Sequence, residues 1–523
     1  MVLNYLLTAF RNILRYKSFT LLNILGLSLT MSVCMLIIVV LMDQYAYDSH
    51  YTKKDRIYRV ESIDSLSKIS RNRFASTVYP LAGELKNKVA GVEEAALFNN
   101  SFGGEGVSGE ARIGIKGLYA NSAVFEVFGF ELIKGSTERV LDDPFKIVLK
   151  EDVAQKFFGN EDPLGKTLQI DSIGDFTVAG IFKKTNKKSH IQFEALVSAS
   201  TLESFERSQK AEKITATDWN NFYSTYVYVL LSQKADKRDI QRTLDKISYE
   251  KYPDKEKLNV SFVLQPLTKI VPGPLRANEL GFFLWNVMVY FLSGLALVLI
   301  FLAAFNYTSL SIARSLLRAK EVGVRKTLGA TRGKIIVQFL LEAVIISLLS
   351  LVVSVVLLQF LLPGFTGMKM MSILEIRPQQ NYAVYLLFFI FALVTGLFAG
   401  ILPAFFISSF SPQYVLKGVL NIKLFSRITL RKVLLVTQFA FSMIFIITIL
   451  LLFRQMNYMV NATMGFDREQ VFMMRLQRQD IGRIKDVYSR LPEISYISAT
   501  SHRPGEGNIW PVQIRVNKED EKV

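Results

Sequence analysis

Cysteine occurs once and histidine three times among the 523 residues. The single thiol, Cys34, excludes an intramolecular disulfide framework and a cysteine-rich metal site. His50, His190 and His502 lie too far apart in sequence to form a local metal motif. There is no His-Glu-x-x-His zinc helix and no Gly-x-Ser-x-Gly nucleophile elbow. The acidic pairs Glu93–Glu94 and Asp142–Asp143 are adjacent, so their carboxyls point apart on a helix or strand and read as solvated surface. No residue is assigned a catalytic or metal-binding role.

Charge is also scarce: 20% of residues are charged and 50% are hydrophobic. That balance excludes a disordered chain and fits poorly with a wholly soluble one. Lys and Arg outnumber Asp and Glu by 62 to 45, giving +17. An excess of this size fits either nucleic acid or an anionic membrane surface, and its placement decides between them.

A bilayer core of about 30 Å needs about 20 apolar residues in a helix. Five segments reach that length: Ser18–Met42, Leu280–Ala313, Ile335–Gly367, Pro378–Leu416 and Val433–Phe453, with Glu342 their one charge. We place the spans at 18–42, 280–313, 335–363, 382–408 and 433–455. The first is too long, and lacks the small-residue cleavage pattern, for a signal peptide. Arg11, Arg15 and Lys17 precede it, with no acid among the first seventeen residues. Seven basic residues and one acid lie at 314–334, and Lys417, Lys423, Arg427, Arg431 and Lys432 lie within 409–432. By the positive-inside rule the N-terminus and these two loops are cytoplasmic, while 43–279 and the short loop 364–381 face outward. Most of the charge is then topological, and nucleic-acid binding is not expected.

Leu3, Leu6, Leu7, Phe10, Ile13 and Leu14 recur at helical spacing, with Arg11 and Arg15 off that face. Residues 1–17 read as an amphipathic helix on the inner leaflet or as an extension of the first span. The outward segment 43–279 is long enough for its own core. Strand patterns at Arg56–Val60, Lys146–Lys150, Phe176–Phe182 and Thr225–Leu231 mix with helical patterns at Thr77–Lys88, Glu151–Phe158 and Lys237–Glu250, which predicts an α+β domain. Turn residues cluster at Asn99–Gly109 and Lys183–Ser189. Gly159 to Thr167 imitates a phosphate loop, but its glycines are six apart rather than five and it follows a helical pattern. It reads as a turn into the next strand.

The string from Arg314 to Ala330 is short, basic and punctuated by glycine. It predicts a brief helix from about Ala319 to Leu328, ended by Gly329. Glu321 and Arg325, at i and i+4, would stand beside Val322, Val324 and Leu328, forming either a docking surface or a solvated basic loop. Glu342 lies about 12 Å along a helix from Lys334. An acid there is either a polar site within the membrane or the structural partner of a nearby group.

Lys320-Glu-Val-Gly-Val-Arg-Lys-Thr-Leu-Gly-Ala330 resembles the coupling-helix signature of MacB/FtsX-like ABC transporter permeases (type VII ABC systems). Agreeing segments follow in the family's order: Arg11–Arg15 with Asn23–Leu27, Val153–Gly159 with Asp162–Lys166 and Phe176–Ile181, and Gly400–Ala404. The resemblance implies an α-helical integral membrane protein with a MacB-like extracytoplasmic domain. It also implies a non-catalytic bacterial plasma-membrane subunit that couples hydrolysis by a separate ATPase to export or to mechanical work outside. ATP and magnesium would be bound by that ATPase and no cofactor by this chain. Its docking residues would be Arg318, Lys320, Glu321, Val322, Gly323, Val324, Arg325, Lys326, Leu328, Gly329 and Ala330. Expected partners are the ATPase, membrane lipids, a second permease module in a dimer or pseudo-dimer, and a periplasmic adaptor or effector. The alternative within the resemblance is an FtsX-like signalling scaffold that controls a periplasmic partner without moving substrate. The fifth span lies outside the four-span pattern, and Gly465–Val471 echoes Asp55–Val60. On this reading 456–523 begins a second, incomplete extracytoplasmic domain.

Overall fold

The computed structural model describes residues 2–64, 72–170, 173–183, 185, 187–208, 217–254, 259–368, 374, 376, 382–410, 425–462, 470–474, 476 and 480–500. The echo at 465–469 and the basic stretch 411–424 lie outside the described residues. The chain divides into two units, 1–440 and 441–523.

The first unit opens with α1 (Val2–Arg15) and α2 (Lys17–Tyr45). Tyr16, with φ −122° and ψ 60°, breaks the backbone between them, so α1 is not an unbroken extension of the span. Ile13 turns inward, while Leu7, Phe10 and Leu14 stay exposed.

The folded domain follows, with β1 (Ile57–Asp64), β2 (Asn72–Phe74), α3 (Leu81–Lys88), β3 (Val92–Asn99), β4 (Gly103–Ser108), β5 (Ala111–Ala120), α4 (Ala123–Phe128), β6 (Leu132–Lys134), β7 (Lys146–Lys150) and α5 (Glu151–Phe158). It continues through β8 (Thr167–Ile170), β9 (Gly174–Phe182), β10 (Ala195–Ser198), α6 (Ala199–Ser208), β11 (Thr225–Leu231), α7 (Lys237–Lys251) and β12 (Val260–Pro266). The strands run β10-β7-β9-β8-β4-β5-β3-β11-β1-β12, and a parallel β10–β5 pairing closes the first six into a ring. Ring interior side chains include Phe102, Tyr119, Phe157 and Phe176. β11 is buried on both faces: Val227 and Val229 pack beneath α3 and α7, while Tyr226 and Tyr228 face the opposite core with α4. That second core also takes Tyr47 and Tyr51 from beyond α2 and Phe283 from before the next long helix.

The remaining long helices are α8 (Asn286–Thr327), α9 (Arg332–Thr366), α10 (Tyr382–Ser408) and α11 (Phe425–Asn461), and α12 (Ile481–Tyr488) is a short one. Among the described residues, five helices are long and apolar enough to cross a membrane: α2, the first part of α8, α9, α10 and residues 432–461 of α11. α2, α8, α9 and α10 pack together, and their contacts are narrow because small residues line them. A Cβ on Gly400 would stand 2.6 Å from the Ala343 Cβ, and one on Gly396 would stand 2.8 Å from the Val344 Cα. Ser347 donates to the Ala392 carbonyl at 2.7 Å and Ser354 to that of Ser28 at 3.0 Å, which satisfies polar groups away from water.

Several sequence boundaries move. The separate span at 280–313 and loop helix at 319–328 are one helix, α8, because nothing between Asn286 and Thr327 breaks it and Ala, Leu, Arg and Lys favour its later turns. Residues 280–285 belong to the approach rather than to the span. α9 starts at Arg332 and α11 at Phe425, inside segments read as loops. α11 also runs on to Asn461, past the boundary at 455. The cluster Asn99–Gly109 contains β4, and α3 begins only after Pro80, since Thr77 is bridged to Thr225.

Gly396→Val is expected to part α9 from α10 at a cost of about 1–3 kcal/mol. Thermal unfolding of the detergent-solubilised full chain would show it as a lower apparent melting temperature than that of a Gly294→Val control, where a Cβ meets nothing within 4 Å.

Candidate coupling site and the joint with the folded domain

The corner between α8 and α9 lies about 63 Å from the start of α8 for a helix of 42 residues. Gly329 ends it in the left-handed region, at φ +90°. Its N–H donates to the Lys326 carbonyl at 3.1 Å, and the Ala330 N–H donates to that of Arg325 at 3.0 Å. This closure satisfies carbonyls that a helix end would leave bare.

The corner has an inner and an outer face. Ala319 and Val322 pack against Ile335 and Phe339 of α9 and Ala404 and Ile407 of α10. Arg318, 7% exposed, donates through Nη1 to both carboxylate oxygens of Glu342, at 3.0 and 2.9 Å. Its guanidinium also lies 4.6 Å from the Phe339 ring centre. Glu321 is shared between Arg325, at 2.8 Å, and Arg318, at 3.7 Å, while Arg325 also donates to Gln338. Lys326 donates to the carbonyls of Ser408 and Phe410, both at 2.7 Å, where α10 ends. A cation is favoured at a helix C-terminus. Burial and then Arg332 lower the Lys326 pKa from its ordinary value.

Of the docking residues read from the sequence, Arg318, Val322 and Gly323 are buried. Glu321, Arg325 and Lys326 are half-buried and tied within the chain, and Ala330 is half-buried in the turn. Lys320, Val324, Leu328 and Gly329 face outward, with Val324 47% and Leu328 82% exposed. Glu342, read as either a polar site or a structural partner, is the partner of Arg318. Sequence reasoning missed Gln338, although it sits one turn before Glu342 on the same side of α9.

At the other end of the bundle a second polar cluster joins the helices to the folded domain. Lys188 meets Asp43 of α2 at 2.7 Å and donates to the Leu374 carbonyl at 3.1 Å, and Gln44 accepts from the Leu284 N–H at 2.8 Å. Asp48 accepts from the Ser189 hydroxyl at 2.7 Å and from His190 Nδ1 at 2.6 Å. His190 Nε2 meets the Tyr228 hydroxyl at 2.7 Å. Burial raises the Tyr228 and Tyr51 pKa values far above the ordinary phenol range. On the paired strand, Arg59 is wholly buried and holds Glu279 at 2.6 Å and Gln265 at 2.7 Å. The sequence offered no signal for this cluster, because its bonded partners lie up to 240 residues apart.

A cleft of about 730 Å³ in the folded domain carries Asp142, Glu203 and Glu206. Each is already engaged, by Arg139, Tyr79 and Thr217 respectively.

Residues 20–247 match the model of the MacB-like periplasmic core domain, and residues 293–412 match that of the FtsX-like permease C-terminal domain. The chain belongs to the MacB/FtsX-like family of ABC transporter permeases. Similar relatives include the ABC transporter permease YknZ of Bacillus subtilis, 21% identical over 49% of this chain and 57% of that protein. Another is the macrolide export ATP-binding/permease protein MacB of Neisseria gonorrhoeae, 24% identical over 44% of this chain and 33% of that protein. The match thus spans about half of one relative's length and a third of the other's. Similar solved structures include a permease domain from Porphyromonas gingivalis, with 20% identity over 43% of this chain and 94% of that one and a TM-score of 0.37. The periplasmic region of MacB from Actinobacillus actinomycetemcomitans matches with 16% identity over 41% of this chain and 89% of that one, with a TM-score of 0.29. In this permease the folded domain is the periplasmic one, and the five apolar helices make it a multi-pass membrane protein.

Asp48 has φ +55°, a conformation that Asn tolerates better than most residues. Asp48→Asn is therefore expected to keep the joint partly bonded. Asp48→Ala would leave several buried donors bare at about 1–3 kcal/mol each. Apparent melting temperatures of the full chain are expected to fall in the order native, Asn variant, Ala variant.

Proposed function

We propose that this chain is the membrane subunit of an ABC transporter, driven by a separate ATPase that docks on the corner between α8 and α9 and working through the periplasmic domain. In this reading the corner is cytoplasmic, the N-terminus lies on the same side, and the membrane is the bacterial plasma membrane. The basic residues Arg11, Arg15, Lys17, Lys320, Arg325, Arg332 and Lys334 support that orientation.

One observation carries the proposal. Val324 and Leu328, one helical turn apart, stand exposed on a corner where Arg318, Ala319, Val322, Arg325 and Lys326 are committed to the bundle. Apolar side chains on a braced support suit a pocket on a partner, and Lys320 beside them suits an acidic rim. ATP and magnesium would be held by the partner, and this chain would contribute no catalytic group. The work done is export or mechanical action on a periplasmic protein, with a second permease module completing the assembly.

The test is detergent co-purification of the full chain with candidate ABC ATPase subunits. Leu328→Asp and Val324→Asp are expected to weaken retention by roughly tenfold or more, since a charge would enter a desolvated contact. Their apparent melting temperatures should remain native, because neither side chain is packed inside. Retention of the ATPase by both variants would remove the corner from the proposal.

A further inference from the structure

Arg318 and Glu342 do something that packing alone would not require. Burying a guanidinium and a carboxylate costs several kcal/mol per ion, and apolar residues of similar size often serve a core as well or better. What an ion pair supplies is direction. Both oxygens of Glu342 are held by Nη1 of Arg318, and the guanidinium plane lies against Phe339 one turn earlier on α9. Rotating α8 about its axis, or sliding it along α9, would break both hydrogen bonds and strand a charge in the bundle.

The pair lies ten residues, about 15 Å of helix, before Leu328. Two further ties fall within that stretch: Arg325 to Gln338 of α9, and Lys326 to the carbonyls that end α10. Val324, one residue before these ties, and Leu328, beyond them, stand 47% and 82% exposed. Their direction is inherited from the ties behind them.

We infer that Arg318 and Glu342 are positioning residues: their pair sets the rotation of the corner, so that load on Val324 and Leu328 passes into α9 and α10 instead of turning the end of α8. The inference rests on the docking role proposed above for that corner.

The test uses the full chain in lipid nanodiscs, on a Cys34→Ala background, with spin labels at Leu328→Cys and Tyr385→Cys and no ATPase present. The native pair is expected to give one narrow distance distribution. Glu342→Gln should broaden it by roughly twofold or add a second population, because the corner then samples more than one rotation. Arg318→Met/Glu342→Leu separates positioning from filling: it should restore the native apparent melting temperature while the distribution stays broad. A narrow, native distribution in the apolar double variant would overturn the inference, since the pair would then only fill space. A native distribution in Glu342→Gln would overturn it as well. If Glu342→Gln does not fold, the double variant decides alone. A separate arm measures co-purification with the ATPase subunit that the native chain retains, and Glu342→Gln should keep that binding. Failure of the native chain to retain any ATPase would count against the docking role and leave the label result standing.

Discussion

The continuity of α8 from Asn286 to Thr327 is the constraint on which the rest of the structure depends. A helix carries all its backbone hydrogen bonds within itself, so it can leave the apolar layer without a break and continue into a charged segment. The chain uses this to place the sequence from Arg318 to Leu328 on the same rod that leaves the periplasmic domain at Trp285. A flexible loop at 314–318 would have let the corner and the domain move independently. Gly323, which costs about 1 kcal/mol relative to Ala in a helix interior, does not interrupt the rod. The break comes only where Gly329 adopts a conformation that ordinary residues avoid.

A rod is useful only if its neighbours hold it, and the bundle does so by two different means. In the middle, small residues bring α9 and α10 close enough that Gly396 and Gly400 admit no side chain, and buried hydroxyls donate to carbonyls on neighbouring helices. Dispersion dominates there, because lipid tails are as apolar as the helices and burial gains little. At the two ends the ties are directional hydrogen bonds that involve charged groups: Asp43, Asp48 and Glu279 on the periplasmic side, Glu342 and Lys326 with the α10 carbonyls on the other.

Much of the architecture was legible in the sequence. Apolar length gives the spans, and strands such as Lys146–Lys150 and Thr225–Leu231 follow from β-branched and aromatic runs. The inner and outer faces of the corner were not legible. Val322 and Val324 are the same residue type two positions apart, yet one lies against Ile335 and Phe339 and the other faces outward. Which face of a helix is inside depends on where α9 and α10 lie, and their approach is set by contacts more than a dozen residues away. The same holds for Arg318: its basic character reads as a loop charge until Glu342, twenty-four residues on, is seen beside it. His190 looked like an isolated histidine because its partners, Asp48 and Tyr228, come from different elements.

The placement of directional ties at the ends and apolar contact in the middle has a mechanical consequence. Apolar surfaces change relative position at little cost, since one methyl contact replaces another, whereas a buried ion pair has one arrangement and a large penalty on either side of it. Displacement within the bundle is therefore cheapest as movement of whole helices with their ends kept in register. At the periplasmic end, Asp48 follows α2 and Glu279 precedes α8, yet both lead through His190, Tyr228 and Arg59 to the paired strands β1 and β11. The two helices thus converge on one pair of adjacent strands, beside the edge strand β12. A change in their relative position must then be taken up by those strands or by the domain as a body, and the wholly buried β11 resists the first.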